Sequence, residues 1–285
     1  MPVPEAVPGW HPHVEVWLLV AGLGGGYLLA LRRWGPRHVS PGEAPATRGQ
    51  VVAFALGLAA MWVAADWPVH ELAEQRLFSV HMAQHTLLSL VSPALLLAGT
   101  PGWLLRSLLR PRPLLAVVRQ LARPIPALLL FNGWIALSHW PALVELSVRS
   151  EPFHLLVHTI LFTTAALMWM PVLSPMAEIP RLHYPGQMLY LFAQSIVPTV
   201  PASFLTFGTT PIYAFYAHAA PLFGMDPVLD QRIAGLAMKL GGGLILWGVI
   251  AVLFFRWHAE EEATGADAPV WEDVERELHR LETNR

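Results

Sequence analysis

Residues 81–101, HMAQHTLLSLVSPALLLAGTP, decide how this chain is read. With the apolar LFSV before them they are long enough to cross a bilayer, which takes ~20 apolar residues. Yet the stretch opens with two histidines four residues apart, His81 and His85. Ionisable groups are expensive in hydrocarbon and are retained there for function. Residues 154–175, HLLVHTILFTTAALMWMPVLSP, repeat the pattern: His154 and His158 at the same spacing, then threonine, an apolar run and a proline. Side chains at i and i+4 share one helical face, so each pair can offer two imidazoles to one small cation.

The rest of the chain has the same character. With 54% hydrophobic and 13% charged residues in 285, it reads as one polytopic membrane protein. The fold expected is an all-α bundle of seven transmembrane helices near 14–31, 50–66, 77–99, 125–141, 153–172, 186–208 and 232–255. Pro198 and Pro201 in SIVPTVPASF predict a kinked or broken sixth helix. A transmembrane domain is expected over 1–258, and an acidic cytoplasmic tail over 259–285, where Trp271, Val274, Leu278 and Leu281 fall at the spacing of a short amphipathic helix. The glycine runs GLGGGY (22–27) and KLGGGL (239–244) lie inside apolar helices and suit close helix packing.

Orientation follows from the arginines. If seven helices alternate, fourteen fall on one side against Arg76, Arg149 and Arg232 on the other. The excess marks the cytoplasmic face and puts the N-terminus outside. The first span, with no basic region before it, reads as retained. Nine histidines (His11, His13, His70, His81, His85, His139, His154, His158, His218) then belong to the outer half and four to the cytoplasmic side. His85 and His158 lie roughly 8 to 12 Å below the outer ends of parallel helices. His11, His13, His70 and His218 read as structural; the paired four, with His139, read as a site.

No cysteine is present, so thiolate sites, iron-sulfur clusters and disulfides are excluded. HMAQH lacks the glutamate of a zincin, having Met82 after the first histidine. A zinc-dependent membrane hydrolase would need a nearby acid or base, for which Asp66 is the candidate. A b-type cytochrome is the other alternative, but two imidazoles on one helical face cannot fill opposite axial positions of one haem iron. Copper, as Cu(I), accepts imidazole and thioether donors in low coordination numbers, and Met82 and Met238 are placed to join the histidines.

The landmarks LFSVHMAQHTLLSLVSPALLLAGTP (77–101), FNGWIALSHWP (131–141), HLLVHTILFTTAALMWMPVL (154–173), PIYAFYAH (211–218) and DQRIAGLAMKLGGG (230–243) resemble, in order, those of the CtaG family of caa-type cytochrome c oxidase assembly factors. The resemblance implies a multi-pass protein of the bacterial inner (plasma) membrane that helps build a haem-copper oxidase of the respiratory chain. It implies no enzymatic step: a metallochaperone role, copper passed to oxidase subunits, a periplasmic copper donor as a further partner besides the lipid bilayer, and no nucleic acid. The family's site residues fall on His81, His85, His139 and His158, with His154 beside them, and its last landmark on Asp230, Gln231 and Met238. The chain departs at Lys239, its one lysine, where the family leads one to expect an aromatic residue. The residue is expected to turn away and pair with an acid such as Asp66. The Tyr-, Phe- and Pro-rich loop 209–230 is expected to cap the outer site or meet the oxidase.

Overall fold

A computed structural model describes residues 9–219, 222, 224–266, 275, 280 and 281, and these are all-helical. Six helices are long and apolar enough to cross a membrane: Val14–Arg33, Arg48–Ala65, Phe78–Gly99, Glu151–Leu173, Tyr184–Phe207 and Pro227–Ala263. The seventh candidate is Pro124–Ser138, bent by 77° from the preceding Arg112–Leu121. Its 15 residues make a rod of about 22 Å at ~1.5 Å per residue, short of the ~30 Å hydrocarbon core. It nonetheless joins the two faces. The third span leaves the histidine end at Phe78 and finishes at Gly99, and Pro124–Ser138 returns to His139, whose ring lies 6.3 Å from that of His85.

Arg112–Leu121 is amphipathic with none of its residues buried, and Leu114 and Val117 stand exposed. A basic helix of this kind suits a membrane interface, its arginines toward headgroups. The seventh helical body continues unbroken from Gly242 to Ala266, past the expected boundary at 258. Of the amphipathic tail helix, Trp271, Val274 and Leu278 lie outside the described residues.

Prolines shape the spans. The sixth breaks at Pro198, between helices Tyr184–Ile196 and Thr199–Phe207, as its prolines predict. Val200 N donates to Val197 O (3.1 Å), recovering the acceptor that Pro201, lacking an N–H, cannot serve, and the Thr199 hydroxyl donates to Ser195 O (3.0 Å) across the break. In the third span the helix widens to a π-turn at Leu87–Val91, just before Pro93. Pro93 cannot donate to Ser89 O; that carbonyl instead accepts from Trp169 Nε1 of the fifth span (3.3 Å). A second π-turn, Ala237–Gly241, carries Met238 and Lys239.

The tight crossing is that of the second and third spans. A Cβ on Gly99 would sit 2.7 Å from Gln50 O, and one on Gly57 2.9 Å from Leu96 N, so both positions need glycine for backbone approach. The glycine runs singled out in the sequence are not of this kind. Gly22, Gly25, Gly26, Gly241 and Gly243 would meet nothing within 4 Å; only Gly24 (Leu58, 3.2 Å) and Gly242 (Leu90, 3.4 Å) approach a neighbour. Neither run makes a backbone-to-backbone approach like those at Gly57 and Gly99.

Candidate metal centre

The third and fifth spans start at the same end of the bundle and run parallel, which brings their histidine pairs together. One nitrogen each of His81, His85 and His158 lies within 4.8 Å of the others. The rings of His85 and His158 are 5.0 Å apart, those of His81 and His85 4.4 Å, and those of His81 and His158 6.2 Å. Nitrogens bound to one ion at ~2.0 Å stand about 3.5 Å apart, so a small side-chain contraction makes this a ligand set. Among the described residues, His81 Nδ1, both nitrogens of His85 and His158 Nε2 are buried without a hydrogen-bond partner. Leaving a buried polar atom unsatisfied costs about 1–3 kcal/mol. Four such atoms clustered on two parallel spans fit a cation that the protein atoms alone do not replace.

His139 adds a further donor. Its Nδ1 bonds to Ile135 O (2.7 Å), an acceptor, which places the proton on Nδ1 and a lone pair on Nε2. Nε2 in turn faces Met82 Sδ at 3.4 Å. Two lone-pair donors pointed at each other have no hydrogen to share, whereas a soft ion between them would satisfy both. Met82, His85, His139, Met238 and Lys239 line one cavity of about 60 Å³ together with Gln194 and Ser89. Both π-turns border it, the usual place for an extra backbone residue to re-aim side chains.

The backbone around the site is held from elsewhere in the bundle. Asp230 accepts from Phe78 N (2.6 Å) and Ser79 N (3.1 Å), capping the third span from 151 residues away and fixing the turn that carries His81. Gln231 accepts from Ile212 N (2.7 Å) and donates to Thr210 O (3.3 Å). The loop so anchored lays two tyrosines over the histidine end: Tyr213 donates to His139 O (3.0 Å) and Tyr216 to Ala73 O (2.7 Å). Loop 209–230 thus caps the site in its described part.

His154 falls in a different group from the one expected. Its ring is 4.1 Å from His158, but its close ligand-atom neighbours are His70 and Glu74. These two lie on the seven-residue helix Val69–Gln75, outside the spans. Burial pushes the His70 imidazole below its usual range, further than the Glu74 charge raises it. Burial also acts to raise Glu74, but His154 and His70 hold it below the ordinary carboxylate value. His70, read from the sequence as structural, and Glu74, not singled out at all, are the residues the reading missed. Their i, i+4 spacing, the same as in both histidine pairs, was the available signal.

Lys239 does not turn toward Asp66. The Asp66 carboxylate accepts from the indoles of Trp17 and Trp62 (2.7 Å each) and from Trp67 N (2.9 Å), which occupies it as a tie between the first two spans. Lys239 faces the cavity with no ion pair among the described residues.

No curated protein and no solved structure matches the chain. The sequence model of the cytochrome c oxidase caa3 assembly factors (Caa3_CtaG) matches residues 25–260, which takes in every histidine of the centre and the loop that caps it, and the chain belongs to that family.

Proposed function

We propose that this protein serves oxidase assembly by binding copper, as Cu(I), and handing it to a subunit of the haem-copper oxidase. His81, His85 and His158 are the core ligands, with His139, Met82 and Met238 as soft donors along the route into the bundle. The observation that carries this reading is the set of buried, unpartnered imidazole nitrogens converging from two spans. The softness of the additional donors favours monovalent copper over zinc. Copper is cargo here, no bond is broken, and the protein acts without catalysis.

The arginine count supports an inner-membrane orientation with the histidine face outward, toward a periplasmic donor and toward oxidase metal sites at similar depth. A line of rings leads from that face inward: His13 to His70, 4.6 Å; His70 to His154, 5.7 Å; His154 to His158, 4.1 Å. Glu15 and Glu71 flank its outer end at His13, within 3.0 and 2.9 Å. These groups can concentrate a cation at the mouth without holding it firmly.

The test is anaerobic Cu(I) titration of detergent-purified protein against a chromophoric chelator. Wild type is expected to retain copper, and the His81→Ala/His85→Ala variant to lose it. Equal affinity in the two ends the copper reading. A Soret band in the as-purified protein would replace it with a cytochrome.

A further inference from the structure

His154 is placed beside the three core ligands and yet outside their set, and the groups on its far side explain why it is there. His70, Glu74 and His154 by composition could form a second, divalent-ion site, since their ligand atoms lie within 4.8 Å of one another. The protons argue against it. Gln84, fully buried, donates one amide hydrogen to Ala64 O (2.8 Å) and directs the other at His70 Nδ1 (3.2 Å). A neutral imidazole has one acceptor nitrogen. His70 therefore accepts at Nδ1 and carries its proton on Nε2, which faces Glu74 Oε1 at 3.2 Å and is closed to a metal.

The same carboxylate oxygen lies 2.8 Å from His154 Nδ1, at ion-pair distance though not yet in hydrogen-bond line. A carboxylate there favours the tautomer with hydrogen on Nδ1. The lone pair is then on Nε2, which is buried without a partner among the described residues and belongs to a ring 4.1 Å from that of His158. We propose that Glu74, steadied by Gln84 through His70, is a positioning residue that fixes the tautomer and orientation of His154 and thereby makes His154 Nε2 a fourth nitrogen donor to the ion held by His81, His85 and His158. Carboxylates behind metal-bound imidazoles commonly orient them in this way and raise their basicity. The anion also offsets the charge of a cation that the surrounding imidazoles leave uncompensated. This inference rests on the copper reading above and adds to it a part that can fail separately.

The experiment is a double-mutant cycle on Cu(I) affinity, with Glu74→Gln, His154→Gln and the double variant, each checked for an unchanged elution profile and melting temperature. Glu74→Gln and His154→Gln are each expected to weaken binding by about 10- to 100-fold. The double variant is expected to be no weaker than His154→Gln alone, because Glu74 acts only through that ring. X-ray absorption should count one nitrogen fewer in Glu74→Gln, and Glu74→Asp should recover part of the affinity. Additive losses, or an affinity in Glu74→Gln equal to that of wild type, overturn the proposal while leaving the copper site standing. A Zn²⁺ ion bound alongside Cu(I) in wild type and lost in Glu74→Gln overturns it in favour of a separate site. Wild-type protein that binds no copper overturns both readings.

Discussion

Replacing Asp230 by alanine tests the claim that the metal centre is held by long-range capping of the third span. Asp230 is 4% exposed and Phe78 1%, so water cannot take over the amides that the carboxylate now satisfies. Hydrogen bonds to a charged group contribute about 1.5–3 kcal/mol each, and the two lost here sum to roughly 3–5 kcal/mol after relaxation. At ~2–4 °C per kcal/mol for large domains, the detergent-solubilised protein should melt about 6–20 °C lower. Because His81 sits in the first turn so capped, Cu(I) affinity should fall with it. Asp226 provides the control. It also caps a helix, accepting from Val228 N (3.0 Å) and Leu229 N (3.2 Å), but its bonds are local and exposed. Asp226→Ala should cost about 1 kcal/mol and leave copper binding unchanged. Thermal melts and chelator competition on both variants decide the matter. If Asp230→Ala melts within 2 °C of wild type, or if Asp226→Ala matches it, the capping argument is wrong.

Other consequences can be measured in the same preparations. Lys239→Met should tighten Cu(I) binding, because its cation lines the same cavity as Met82, His85 and His139: two unit charges ~10 Å apart at an effective dielectric of ~20 repel by roughly 1.7 kcal/mol, about 15- to 20-fold in the dissociation constant, and an unchanged constant would refute it. Gly99→Leu should leave little folded protein in the membrane, since overpacking costs about 1–3 kcal/mol even where atoms can shift and here the obstacle is backbone; wild-type yield and melting temperature would contradict the crossing. Asp66→Ala should loosen the first span from the second, read as a red shift of tryptophan emission from Trp17 and Trp62; no shift would show that their indoles are not bound there. For His13, burial acts to lower the imidazole, but the hydrogen bonds and charges of Glu71 and Glu15 outweigh it and raise the net value. Its folded value thus lies above the ordinary ~6.5, so the tether it forms is complete below that pH and is lost as pH rises through the folded value. Amide exchange at Val16 and Trp17 should accordingly quicken on going from pH 6 to pH 8 beyond the intrinsic base-catalysed rate, and a purely intrinsic rise would refute it.

The parts of this molecule legible in the sequence are those fixed by periodicity. Two histidine pairs at helical spacing at the heads of apolar runs had to face one way, and parallel spans then had to present them at one height. Broken geometry at Pro198 was legible for the same reason, since proline acts on its own helix. What periodicity does not carry is the choice of partner between distant segments. Depth alone made Lys239 and Asp66 plausible companions, but Asp66 is taken by two indoles, one of them from a span 49 residues away. His70 and Glu74 escaped because their i, i+4 spacing, shared with the histidine pairs, lies on a seven-residue helix with no apolar run behind it to mark it as part of a span.

One proline shows how a local signal can still set the long-range geometry. Pro93 withholds an N–H from Ser89 O and crowds it, and the preceding turn widens to the π form. The freed carbonyl, buried deep in an apolar bundle, must find a donor, and it finds Trp169 Nε1 on the fifth span. Ser89 is one turn past His85, and Trp169 is three turns past His158. A hydrogen bond between these residues fixes how far the two parallel spans slide past each other, and hence whether the rings of His85 and His158 meet. A slip of one helical turn, about 5.4 Å, would exceed the 5.0 Å that now separates them. The bond that repairs the backbone defect is therefore also the one that keeps the imidazoles within reach of a single ion.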